Sequence, residues 1–113
     1  MDAVCIVMTA INQEAAAETL AQQLVEARLA ACVQVMPVKS FYVWQGENHR
    51  EAEYLLLVKT RAALYTQVKN FILANHPYEV PEILQVPVAA GAAGYLQWLL
   101  AGTPVGDGKP LPL

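Results

Sequence analysis

"CVQVMPVKSFYVWQGENHREAEYLLLVK", residues 32–59, decides how this chain folds. Two strand-like runs flank the turn sequence "QGEN" at 45–48, so the stretch reads as one long β-hairpin. The first strand opens in "AACVQVM" and resumes as "SFYVW" beyond Pro37. Proline removes a ladder donor, which puts position 37 on a sheet edge or at a bulge. The second strand, from about His49 to Lys59, starts polar and alternating and ends in "YLLLV". Its outer half is expected in water and its inner half in the core. About 13 residues from Cys32 to Trp44 extend ~40 Å at ~3.3 Å each, against a radius of gyration of ~13 Å for a domain of this length. The hairpin therefore bends at Pro37 or projects from the body, carrying Phe41, Tyr42, Val43 and Trp44 at its tip.

Outward from the hairpin the pattern is regular. "AVCIVM", residues 3–8, is an apolar, β-branched run that reads as a buried strand. A helix follows from about Gln13 to Arg28, with Asn12 as its expected N-cap and Ala17, Leu20, Ala21, Leu24 and Val25 on one face. After the hairpin, Thr60 is expected to cap a second helix whose apolar face is Leu64, Val68, Phe71 and Ile72. "EILQVPV", 82–88, is a short fourth strand, and "AGYLQWLL", 93–100, a final short helix. The order predicts an α+β fold: a ferredoxin-like βαββαβ sandwich with a long β2–β3 hairpin and an extra C-terminal helix. Residues 1–103 form the single domain, and 104–113 a Gly/Pro-rich tail expected to be poorly ordered.

Composition narrows the function. Of the 113 residues, 56% are hydrophobic and only 15% charged, well below the ~25% of ordinary globular chains. Surplus apolar surface needs a cover, and a homo-oligomer is the expected one. A net charge of −3 without a basic cluster argues against nucleic acid. No apolar run approaches the ~18 residues of a membrane span, and the start lacks the positive charge of a signal peptide. Cys5 and Cys32 lie in apolar surroundings without C-x-x-C spacing, so the cytoplasm is the expected compartment. No enzyme motif is present: there is no nucleophile elbow and no H-E-x-x-H. The tail "GDGKP" fails as a phosphate loop, because Thr103 stands where the spacing needs glycine and proline follows the lysine.

"LAACVQV", "SFYVWQGE", "LLLVKT", "HPYEVPEI" and "YLQWL" occur in this order over roughly residues 4–100. Together they resemble the CutA divalent-cation tolerance family. The resemblance implies a ferredoxin-like subunit, a tight homotrimer related in architecture to the PII signalling proteins, and a non-catalytic role in metal homeostasis. It also implies copper or another divalent cation as the candidate ligand, with no obligatory cofactor. Three positions depart from the family pattern. Gln34 stands where asparagine is frequent, Met8 where copper-binding members have cysteine, and Asn75 where they have a second histidine.

Two candidate sites follow. The metal reading uses His76 in "NHPYEVPEI", with Met8 and Cys32 as soft partners. Its structural counterpart is that His76, next to a proline, stops the second helix and satisfies its last carbonyls. The other reading places Tyr42, Trp44, Lys59, Tyr78, Glu79 and Tyr95 around an inter-subunit cleft. That cleft would take a small anionic ligand, as in a PII-like sensor or scaffold.

Overall fold

The computed structural model describes residues 2–105, so the expected tail lies almost wholly outside the described residues. The elements are β1 (Val4–Ile11), α1 (Glu14–Glu26), β2 (Cys32–Trp44), β3 (Glu47–Arg61), α2 (Tyr65–Asn75), β4 (Leu84–Pro87) and α3 (Ala93–Gly102). They form one four-stranded antiparallel sheet in the order β2-β3-β1-β4. Each β-α-β unit leaves room for one strand of the other: β3 lies between β1 and β2, and β1 between β3 and β4.

Alternation along β1 sorts the sheet into two faces. Cys5, Val7, Thr9 and Ile11 are fully buried and pack towards the helices, together with Leu56 and Val58 of β3. α1 contributes Ala17, Leu20 and Leu24 to this core, and α2 contributes Val68 and Ile72. Each fully buried Leu or Ile adds roughly 1.5–3 kcal/mol, so this layer dominates stability. The opposite face carries Ile6, Met8, Leu55 and Leu57, flanked by Met36 and Val86 on the outer strands. Of the described helices, α3 packs against β3 near Lys59. Much of this second face stays open, with Met36 41% and Leu84 57% exposed.

The hairpin projects rather than bends. β2 runs through Pro37 in unbroken register, Pro37 opposite Tyr54, and the proline is tolerated because β2 is an edge strand. The resulting molecule measures 44 × 28 × 20 Å. Gln45 (φ 50°) and Gly46 (φ 80°) turn the chain in two residues, a left-handed pair whose twist matches the strands it joins. α1 ends with Arg28 left-handed at φ 61°: its N–H donates to Val25 O and that of Leu29 to Leu24 O. This closes the last helical carbonyls as a Schellman motif.

Two expected caps are corrected. Asn12 does not cap α1; Gln13 holds that position without a side-chain bond, and Asn12 Nδ2 donates to Glu51 instead. Thr60 is a fully buried residue of β3, its Oγ1 donating to Leu29 O at 2.7 Å. In both cases a tertiary acceptor captured the side chain that local sequence assigns to a helix end.

One buried hydroxyl is left over. Thr9 Oγ1 is buried without a hydrogen-bond partner among the described residues. Desolvating a hydroxyl without a partner costs roughly 1–3 kcal/mol, and valine has nearly the same shape. Thr9→Val should therefore raise stability by about 1 kcal/mol or more, read as a higher denaturation midpoint at unchanged slope. A lower midpoint would show that the hydroxyl finds a partner.

Candidate functional site

At the far end of the open face, the hairpin arm and the loop after α2 enclose a cleft of about 600 Å³. Register places the arm's contribution. Tyr42 sits opposite His49, Ser40 opposite Glu51 and Val38 opposite Glu53, so these side chains emerge on one face. Ser40, Tyr42, Trp44, Glu51 and Glu53 form one wall. Tyr78, Glu79, Val80 and Glu82 form the other, with Ala10 between them.

The loop is held in place by His76. β4 reaches only Leu84, opposite Met8, so the Ala10 carbonyl farther along β1 lies beyond β4's end. His76 Nε2 donates to that carbonyl at 2.9 Å, and Nδ1 accepts the Tyr78 N–H at 3.1 Å. A carbonyl only accepts and an amide N–H only donates, so the imidazole is the neutral, Nε2-protonated tautomer. Burial pushes its pKa below the ordinary value, although the Ala10 bond and Glu53 act in the opposite sense. The α2 C-terminus is served by Asn75, not His76: Asn75 Nδ2 donates to Phe71 O at 2.8 Å.

Tyr78 then donates its hydroxyl to Glu53 Oε2 at 2.7 Å. Glu53 is 7% exposed, against the solvated position expected for the outer half of β3. Burial, then this bond to Glu53, raises the Tyr78 phenol pKa well above its usual range. Glu51 accepts from both Tyr42 and Asn12, which lowers its pKa and keeps it ionised. The same hydrogen bond pushes the Tyr42 phenol up to about 12. All four carboxylates of the cleft face a lining without lysine or arginine.

A single chain brings only some of the expected residues together. Tyr42, Trp44, Tyr78 and Glu79 meet in the cleft, but Lys59 and Tyr95 do not. Those two pair with each other at the other end of the sheet, Lys59 Nζ lying 3.5 Å from the Tyr95 hydroxyl and 5.6 Å from its ring centre. Lys59 stands eight residues along β3 from Glu51, roughly 27 Å at ~3.4 Å per residue. Within one chain the acidic cleft and Lys59 thus lie at opposite ends of the sheet, and an inter-subunit cleft would have to bring Lys59 and Tyr95 from a second copy. Of the metal set, His76 reaches β1 two residues from Met8, with both its ring nitrogens engaged. Cys32 lies two strands away, opposite Lys59. Among the described residues no three His, Cys, Asp or Glu side chains converge as a metal would need.

A family profile described as CutA1 divalent ion tolerance protein matches residues 5–101. The chain belongs to that family. It is 46% identical over 99 residues to the divalent-cation tolerance protein CutA of Thermus thermophilus, covering 87% of this chain and 96% of that one. The solved Thermus thermophilus structure superposes with a TM-score of 0.86 at 44% identity, covering 89% of this chain and 99% of the other. A chloroplastic CutA of Arabidopsis thaliana is 38% identical over 101 residues, covering 88% of this chain and 55% of that protein. The chain thus spans about half the length of the plant relatives it matches.

The His76 geometry has a pH signature. A histidine whose pKa lies below 6.5 in the folded state binds its proton more readily when unfolded. Its contribution to stability is complete above pH 6.5 and is lost as pH falls through the folded value. The unfolding free energy should fall as pH drops below about 6.5, and less so in His76→Gln. An unfolding free energy, from denaturant titrations at several pH values, that depends on pH equally in the two proteins would refute this neutral, buried imidazole.

Proposed function

We propose that this chain is a non-catalytic protein of divalent-cation tolerance. It works in the cytoplasm as a homotrimer of ferredoxin-like subunits and contacts metal ions weakly. The observation that carries the reading is family membership over residues 5–101, with 46% identity to a relative whose name states that role. The open apolar sheet face around Leu57 supports assembly, since monomers rarely leave such a surface in water. Free thiols at Cys5 and Cys32 accord with a reducing compartment.

The weak metal contact is assigned to Met8 on the open face. His76 serves as the anchor of the loop. The deciding experiment is growth of a bacterial strain that lacks its own member of the family, in graded copper, zinc and cobalt, with and without this chain. Restored tolerance is the expected result. A folded, abundant protein that leaves growth unchanged at every concentration would refute the proposal.

A further inference from the structure

We propose that the cleft between the hairpin arm and the loop after α2 binds an organic polycation, specifically an aliphatic polyamine. The first argument is a charge without a counter-charge. Glu53 lines the cleft, is 93% buried by its 7% exposure, and its side-chain partner among the described residues is the neutral Tyr78 hydroxyl. A buried carboxylate without a cation is strongly disfavoured, and a positive ligand entering the cleft supplies what it lacks.

The second argument is the spread of charge. Glu51 lies two residues from Glu53 on the same face of β3, about 7 Å away. Glu79 and Glu82 stand on the facing wall. A metal ion gathers several donors at roughly 2.0–2.6 Å around one centre, and no three such side chains converge here among the described residues. A polyamine carries ammonium groups along a chain, separated by short methylene spacers. Its charge is distributed in the way the carboxylates are.

The third argument is the rest of the lining. Tyr42, Trp44 and Tyr78 offer ring faces and edges between the carboxylates. Aromatic faces attract alkylammonium groups and cover methylene spacers, whereas a divalent ion, which is hydrated far more strongly than an ammonium, gains little from them. The volume of about 600 Å³ is that of an ordinary small-molecule site. His76 fixes the loop wall by two hydrogen bonds, so the cleft is formed before the ligand arrives.

The test titrates the purified full-length oligomer with spermidine at constant ionic strength, by calorimetry and by tryptophan fluorescence. Glu53→Gln keeps the shape and the Tyr78 acceptor while removing the charge. Trp44→Leu removes a ring at a position 43% exposed. Sedimentation checks that each variant assembles like the wild type. The expected result is saturable binding at one spermidine per chain, weakened about tenfold or more in each variant, the scale of one charged contact. Magnesium chloride at matched ionic strength should leave it unchanged. Three results would overturn the proposal: no saturable binding by the wild type, equal displacement by magnesium, or unaltered affinity in either variant. A cleft already filled by a second copy's side chains gives the first of these.

Discussion

Leu57→Glu should convert the assembled protein into monomers. Leu57 lies mid-sheet on the open face, opposite Met8 of β1 and Gln34 of β2. In one chain it is only half-buried, and in a trimer built on this face three copies of it leave water. A carboxylate placed there costs at least about 2 kcal/mol per chain through lost burial and forced protonation. Three chains make that about 6 kcal/mol, some four orders of magnitude in the assembly constant. Sedimentation equilibrium at micromolar concentration should show trimer for the wild type and for Leu57→Met, whose volume is conserved, and monomer for the glutamate variant. A glutamate variant that stays trimeric would show that the subunits meet elsewhere.

Arg61→Leu should lower stability by about 2–4 kcal/mol per chain. Arg61 ends β3 and gathers Asp2 and the end of α3 around it. Its Nε donates to Thr103 O at 2.8 Å, one Nη to Leu100 O at 2.7 Å, and the other Nη pairs with Asp2. Among the carbonyls at the end of α3, Leu100 O accepts only one backbone N–H, that of Thr103 at 3.2 Å, and the guanidinium adds donors to it and to Thr103 O. The side chain is only 14% exposed, so solvent screens these bonds little. Asp2, 68% exposed, adds little by itself. Lysine at 61 should recover only part of the loss, because one ammonium cannot reproduce the planar fork. Denaturant unfolding at fixed protomer concentration measures the size, and hydrogen exchange locates it. Unchanged protection of the α3 amides would show that packing, not this clamp, secures the helix.

The fold was legible because its signals are local. The apolar run of β1, the three-and-four spacing of α1 and α2 and the "QGEN" turn each name an element without help from the rest. What misled was side-chain bonding at element ends. Asn12 and Thr60 have the chemistry of helix caps, but Glu51 and the Leu29 carbonyl lie within reach once the chain is folded. The cleft was half legible. "HPYEVPEI" marks its loop wall, and His76 is an anchor that needs the Ala10 carbonyl, 66 residues away, to be understood. Glu51 and Glu53 were passed over as a solvated alternation. Counting back from the turn at Gln45–Gly46 gives the register that sets them beside Tyr42. Lys59 and Tyr95 stand apart from the cleft within one chain, and grouping them with it requires a second copy.

The position of β1 governs the order in which the molecule is completed as it is made. The first strand to leave the ribosome pairs with neither α1 nor β2 but with β3 and β4, at residues 54–61 and 84–87. Until those residues emerge, the most apolar strand of the chain waits with both edges open. The nascent hairpin, closed by two turn residues, is the first platform on which it docks. Only then does β4 arrive, and with it the loop that finishes the cleft. The cleft walls are thus complete only when the chain has reached Leu84, with α3 and its Arg61 clamp still to follow.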